Sequence, residues 1–175
     1  MKTRCVIVIL LVALAALLFA SLPAAAPASV SLNSYEQQLL KCINHERAKR
    51  HLASLRVNAK LVDSARSHSA DMGDRQYFNH NSPSGETWSQ RIMRHGYTRQ
   101  GYRVWKAGEN IAWGVGLYSS PVLIVDQWMK SPMHRAVILT KSFRDLGVGA
   151  VSCNGYGGVG GEGWFFTLDL GRRAK

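Results

Sequence analysis

Two kinds of hydrophobic pattern follow each other along the chain, and their order limits the fold more than any other feature. In the first half, apolar residues such as Leu39, Leu40 and Ile43 recur at spacings of three and four, which is typical of amphipathic helices. Near the C-terminus, residues 146–152 and 164–170 instead have the composition of strands. Helices followed by strands predict an α+β fold rather than a regular alternation of the two.

Polar residues and prolines mark where the predicted helices begin. Ser34 and Asn58 stand before the first two apolar stripes and are suited to cap them, because their side-chain oxygens can accept from free backbone amides. Ser120 and Ser131 are each followed by proline, which favours the first turn of a helix. We therefore expect four helices to start at these positions.

Six glycines lie in residues 154–163, between the two predicted strands. A phosphate-binding loop of this composition would need a following helix and a Lys-Ser or Lys-Thr pair, and neither is present in this segment. The glycines therefore predict a flexible hairpin loop.

The first 28 residues have the features of a secretory signal peptide. Lys2 and Arg4 precede an apolar run over residues 5–20, and small residues follow. A transmembrane anchor is the alternative, but it needs about 20 apolar residues, and this run is shorter. We predict cleavage after residue 28, one domain over residues 29–175, and a secreted product, extracellular or periplasmic, with no membrane span.

Two cysteines, Cys42 and Cys153, remain after the predicted signal peptide. An even pair in an exported protein predicts a disulfide. Two separate buried thiols are the alternative.

The formal charge of +11 points to anionic partners. Wall polymers, lipid head groups and nucleic acid all qualify, and the charge alone does not choose among them. No motif for sequence-specific nucleic-acid recognition is present, so we expect no specific nucleic-acid partner.

Four segments together carry a resemblance to a known family. They are Tyr-Phe-Asn-His-Asn-Ser-Pro-Ser-Gly at 77–85, Ala-Gly-Glu-Asn-Ile-Ala at 107–112, Trp-Met-Lys-Ser-Pro-Met-His-Arg at 128–135, and Leu-Gly-Val-Gly at 146–149 with Phe-Thr-Leu-Asp-Leu-Gly at 166–171. In this order they resemble the bacterial branch of the CAP superfamily, also called SCP/TAPS or cysteine-rich secretory proteins. The resemblance implies a three-layer α-β-α sandwich with a small, mainly antiparallel sheet.

The same resemblance implies a central cleft with two histidines and two acidic residues. His80, Glu109 and His134 match three of these positions, whereas Ser131 stands where many eukaryotic relatives have the second acid. Asn110 follows Glu109 and belongs to the same motif. Two imidazoles near a carboxylate could bind zinc or copper, so His80 and His134 are the expected metal ligands.

The sequence favours a binding module over an enzyme. A serine hydrolase needs a nucleophile beside a base, often in a Gly-x-Ser-x-Gly turn, and no such motif is present. The expected ligand is a small molecule, a lipid or a wall component, with Trp105 and Trp113 at the cleft rim. Two alternatives stay open: an extracellular hydrolase acting on peptides or wall polymers, and a basic adhesive protein of the wall or membrane surface.

Overall fold

The computed structural model describes residues 30–175, so the predicted signal peptide lies outside the described residues. The helices are α1 (Ser34–Ala48), α2 (Ala59–Asp74), α3 (Trp88–Arg94), α4 (Pro121–Lys130) and α5 (Pro132–Ile138), with a 3₁₀ turn at Gly116–Ser119. The strands are β1 (Arg56–Val57), β2 (Val104–Val115), β3 (Asp145–Tyr156) and β4 (Val159–Ala174). Within residues 30–175, every helix is too short or too polar to cross a bilayer.

The four strands form one sheet in the order β1-β3-β4-β2. The short β1 pairs with β3 in parallel, whereas β4 pairs with both β3 and β2 in antiparallel fashion. The sheet is therefore mainly antiparallel, as predicted, with β2 at one edge.

Helices cover both faces of the sheet. Alternate residues of β4 point to opposite faces: Phe166 and Leu168 join the main core with residues of α1, α4 and α5, while Phe165 packs with Met72 of α2. The α3 residue Ile92 packs with α2 on that second face. The predicted three-layer α-β-α sandwich is thus confirmed.

Glycines on β3 allow α2 to lie unusually close to the sheet. A Cβ atom at Gly147 would come within 2.0 Å of the Leu61 carbonyl carbon, and one at Gly149 within 2.4 Å of that of Ala65. Such distances are sterically impossible, so only glycine fits at either position. The close approach brings the polar residues Ser64 and Ser69 of α2 against β4.

The predicted capping residue is confirmed at Asn58, whereas at the other three helix starts the predicted serine does not form the capping bond. The Asn58 side chain accepts from the Lys60 amide, but α1 is capped by Asn33 rather than Ser34, in a reciprocal pairing with Glu36. Ser120 and Ser131 do precede α4 and α5, yet neither side chain makes a capping bond. Proline at the first position accounts for these starts, because its fixed φ suits the first turn.

The glycine-rich segment is a hairpin with a much shorter loop than predicted. The strands continue to Tyr156 and from Val159, and the turn is Gly157-Gly158, with φ of 63° and 82°. Two positive φ values are what a tight hairpin turn of the primed type requires.

The predicted disulfide is wrong: Cys42 and Cys153 are both free. Cys42 lies on α1 and packs against the main core, while Cys153 of β3 packs with Met72 and Phe165 on the opposite face. The sheet stands between the two sulfurs. A disulfide needs Cα atoms within about 7 Å, which this arrangement excludes.

Arg47 joins α1 to the chain that leaves α5. Its side chain is completely buried and donates to the carbonyls of Ala53, Ile138 and Thr140 at 2.7–3.1 Å. These carbonyls lie in loops and at a helix end, outside the strand ladders, and the Thr140 carbonyl also accepts from the Phe143 amide. The guanidinium of Arg47 therefore supplies hydrogen-bond donors to backbone carbonyls in loops and at the end of α5.

We expect Arg47→Met to lower the free energy of unfolding by about 3 kcal/mol or more, because each buried carbonyl left without a donor costs about 1–3 kcal/mol. Urea denaturation measures the loss. Lys49→Met, on the exposed end of the same helix, is the matched control and should change stability by less than about 1 kcal/mol. A similar loss in both variants would contradict this role of Arg47.

Candidate functional site

A cleft of about 470 Å³ opens between the segment before α3, the middle of β2 and the junction of α4 with α5. Its lining is apolar on the floor and polar at two sides. The residues are Phe78, Asn79, His80, Ile111, Ala112, Trp113, Gln127, Trp128, Ser131 and His134. The cleft thus brings together His80 and His134, which are far apart in sequence.

A buried carboxylate orients His80. The Nδ1 atom of His80 lies 2.7 Å from Oε1 of Glu109, whose side chain is only 1% exposed. Because a carboxylate only accepts, Nδ1 carries the hydrogen. In the neutral ring this leaves the Nε2 lone pair for a ligand in the cleft.

The second oxygen of Glu109 binds Arg91 of α3, and this ion pair is buried on both sides. Arg91 also donates to the backbone carbonyl of His80 at 3.3 Å. Since α3 has a capping box at Thr87 and Gln90, the helix that carries Arg91 is well anchored. Arg91 therefore holds the His80 segment directly and through Glu109.

His68 fixes the same segment from α2. Its Nε2 lies 2.9 Å from the Asn79 carbonyl, so that nitrogen must be the donor. Burial, followed by the positive charge of Arg91, lowers the pKa of His68 to about 4, and the ring is neutral at physiological pH. The sequence predicts that His68, on the second helix, is solvated or satisfied locally, whereas in the structure it supports the residue next to His80.

His134 enters the cleft from the first turn of α5. Burial lowers its pKa below the ordinary histidine value, and the nearby His80 lowers it further. The backbone carbonyl of His134 accepts from Nδ2 of Asn110 at 3.0 Å. Asn110 is buried in β2, so its contribution is to hold α5 against the sheet.

Of Ser131, Trp105 and Trp113, only Ser131 and Trp113 line the cleft. Ser131 lines the cleft and makes no capping bond with its hydroxyl. Trp113 also lines the cleft, as predicted, but Trp105 does not. Trp105 packs with the Tyr97 cluster and donates to the Tyr97 carbonyl. It shares a sheet face with Trp113, but it lies near the start of β2, whereas the cleft uses residues 111–113.

Asp169 is a second carboxyl group behind Glu109. It lies directly opposite Glu109 in the β2–β4 register and is completely buried. Within residues 30–175 neither Asp169 oxygen makes a well-formed hydrogen bond, although Ser64 lies beside it. Burial, and then the negative charge of Glu109, raise the pKa of Asp169 well above its ordinary value. Asp169 is therefore harder to ionise than an ordinary aspartate.

The family model for the cysteine-rich secretory protein family, CAP, matches residues 40–170. The chain belongs to this family. It is 39% identical to the uncharacterized protein YkwD of Bacillus subtilis over 126 residues, which are 72% of this chain and 45% of that protein. It is 32% identical to the uncharacterized membrane protein YlbC of the same organism over 65% of this chain and 31% of that protein. The chain therefore spans less than half of the length of these two relatives.

Solved structures show the same CAP fold. An extracellular protein of Bacillus anthracis containing an SCP domain superposes with a TM-score of 0.62 at 29% identity, covering 84% of this chain and 45% of that one. An outer surface protein of Borrelia burgdorferi superposes with a TM-score of 0.61 at 20% identity, covering 82% of this chain and 96% of that one.

Two buried charged residues of this CAP domain were missed as part of the site. The sequence places Arg91 with Trp88 and Ile92 on a short predicted helix, and Asp169 within the last predicted strand and the motif at 166–171, but it assigns neither residue a role at Glu109. A charged residue on a face predicted to be buried is itself a signal, because it must be paired or neutralised. That signal could have placed both residues near Glu109.

We expect Asp169→Asn to remove a pH dependence from folding. A carboxyl group whose pKa is raised in the folded state stabilises at low pH, and this contribution is lost as pH rises from about 4, the ordinary aspartate pKa, through the folded value. Urea unfolding across this range should show wild type losing stability relative to Asp169→Asn as pH rises.

Asp126→Asn, at an exposed position on α4, is the matched control and should show no comparable divergence from wild type. Parallel curves for wild type and Asp169→Asn would show that the pKa of Asp169 does not differ between the folded and unfolded protein, which would contradict the inferred shift.

Proposed function

We propose that the chain is a secreted binding module whose cleft takes a small amphipathic ligand, with a divalent metal held by His80 and His134 as the polar anchor. The observation that carries the proposal is the His80–Glu109 pair. A carboxylate bonded to one nitrogen of an imidazole, with the other nitrogen facing a cavity, is the usual arrangement behind a metal-binding histidine. His134 lines the same cavity.

The donor set supports a weakly held metal rather than a structural one. Within the described part of the chain, no group of three His, Cys, Asp or Glu side chains is arranged around one metal position, and both Glu109 oxygens are engaged by His80 and Arg91. Structural zinc sites use four protein ligands and catalytic ones usually three. Two imidazoles would leave the remaining positions to water or to a donor atom of the ligand.

The cleft lining favours a ligand with an apolar body. Ile111, Trp113 and Trp128 form apolar wall, whereas Gln127 and Ser131 add polar groups near the histidines. A few placed polar groups within an apolar lining are typical of small-molecule sites. A lipid or an amphipathic wall component would match this division.

Export of the protein rests on its N-terminal sequence and on its relatives. The predicted signal peptide at residues 1–28 would direct the domain outside the cytoplasm. The similar domain from Bacillus anthracis belongs to an extracellular protein, which agrees with this proposal.

A hydrolase is the second candidate, because a metal with open positions can activate a bound water. Hydrolysis of peptides or wall polymers that disappears in both His80→Ala and Glu109→Ala would favour it. Hydrolysis that persists in both variants would exclude this cleft as its source.

Metal binding is tested by calorimetry with zinc and with copper. We expect His80→Ala and His134→Ala each to lower the affinity at pH 7 at least tenfold, whereas His45→Ala, at an exposed position on α1, should leave it unchanged. Equal affinity in all four proteins would contradict the proposed metal site.

The same titrations should show affinity falling at acid pH, since protonated imidazole cannot bind a metal. Burial of His134 places its protonation below the ordinary histidine pKa of about 6.5. Ser131→Glu should tighten binding, because it adds a carboxylate at the cleft without removing a capping bond. Unchanged affinity down to pH 5 would show that the ligands are not histidines.

A further inference from the structure

One end of the β2–β4 ribbon carries a concentration of positive charge that the cleft does not use. We call it the basic end: Arg99, Arg103, Lys106, Arg172, Arg173 and Lys175. Residues 104–106 pair with residues 172–174, so these cations lie around the paired strand ends. Residues 95–108 and 170–175 contain no acidic residue.

No member of the basic end makes an ion pair with another residue in the range 30–175, although eight ion pairs occur elsewhere in that range. The nearby acid Asp145, in register with Gly171, accepts a hydrogen bond from the Tyr97 hydroxyl at 2.7 Å. Six cations near this one acid leave the end with a net positive charge.

Two of the cations are placed against each other. Lys106 and Arg172 are direct partners in the antiparallel register, so their side chains leave the same face of the ribbon. Like charges at directly opposed positions destabilise a sheet. An anion that bridges them would remove this repulsion.

A third cation, Arg173, is held in place by two aromatic rings. The Arg173 guanidinium carbon lies 4.2 Å from the ring centroid of Tyr97 and 4.7 Å from that of Tyr102. Stacking leaves the edge of the guanidinium free to donate hydrogen bonds. It also restricts the side chain before a ligand arrives, which lowers the entropy cost of binding.

We infer that the basic end binds a flexible polyanion with repeated phosphate groups and no bases, such as a polyol-phosphate polymer of a cell wall. Four of the six cations are arginines, whose planar fork matches phosphate oxygens. Lys106 and Arg172 lie on the opposite ribbon face from Trp105 and Arg173, because side chains alternate along a strand. A flexible chain can contact both faces, whereas a flat membrane can contact only one at a time.

The aromatic residues argue against a nucleic acid at this surface. Single-stranded nucleic acid is usually bound by stacking of bases on exposed rings. Here the rings of Tyr97 and Tyr102 are covered by Arg173, and Trp105 is packed against the Tyr97 cluster. The surface thus offers charge without a stacking platform.

The basic end is separate from the cleft. It surrounds residues 104–106 of β2, whereas the cleft uses Ile111 to Trp113 of the same strand. The five residue steps from Lys106 to Ile111 span about 17 Å of strand. The two surfaces could therefore be occupied at the same time, and binding at the basic end needs no metal.

The test compares the affinity for synthetic poly(glycerol phosphate) of wild type and of the double variant Lys106→Gln/Arg172→Gln, with a chelator present. We expect at least a tenfold loss of affinity at low salt and a shallower dependence of affinity on salt, because fewer phosphates are neutralised. Thermal unfolding of the same variant should show equal or higher stability, because a repulsive pair is removed.

Lys41→Gln/Lys49→Gln, on α1, is the control with the same change in net charge, and it should retain most of the affinity. An equal loss in both double variants would show that only net charge matters and would overturn the assignment to the basic end. Absence of polymer binding by wild type would overturn it as well.

Two further probes decide the class of partner. Single-stranded DNA and vesicles containing anionic lipid are titrated under the same conditions, and both should bind more weakly than the polymer. Tighter binding of the DNA or of the vesicles would overturn the proposed partner. Because the chelator removes any metal, absence of polymer binding would not bear on the proposed metal site in the cleft. Equally, absence of metal binding in the cleft would not bear on polymer binding by the basic end.

Discussion

The site depends on one buried carboxylate, Glu109, which stands in β2 between a cation and an imidazole. Its two oxygens bind Arg91 and His80, and Asp169 lies behind it in the adjacent strand. Removing one partner of a buried pair costs about 3–5 kcal/mol, because it leaves an uncompensated charge. The position of His80, the orientation of α3 and the protonation of Asp169 are therefore linked through a single side chain.

This link explains why the sheet face toward α2 and α3 is polar in its middle. Thr167 and Asp169 face Ser69 and Ser64 of α2, while the opposite face of the same strand carries Phe166 and Leu168 in the main apolar core. That opposite face carries the larger apolar core, while the face toward α2 and α3 has two smaller apolar clusters. The polar face instead fixes the geometry of the cleft, since hydrogen-bonded networks allow few alternative arrangements.

The errors in the sequence-based expectations concern packing between distant segments. The disulfide between Cys42 and Cys153 required knowing which face of the sheet each cysteine occupies, and the cleft position of Trp105 required knowing which part of β2 the cleft uses. Residue type and local spacing carry little information on this, because a strand buried on both faces does not alternate clearly between polar and apolar residues. The whole of β2 was not predicted as a strand for the same reason, since its centre, from Gly108 to Ala112, combines glycine, charge and apolar residues.

The sequence by itself determined the fold class, the family and the three motif residues His80, Glu109 and His134, because local spacing and short motifs are properties of the chain that survive without coordinates. Only the tertiary structure decided what surrounds them. It placed Arg91 and Asp169 at Glu109, gave Asn110 a role in holding α5, and gathered six cations around one strand end. These juxtapositions depend on strand register and on the face that each helix covers, which arise from packing between distant segments.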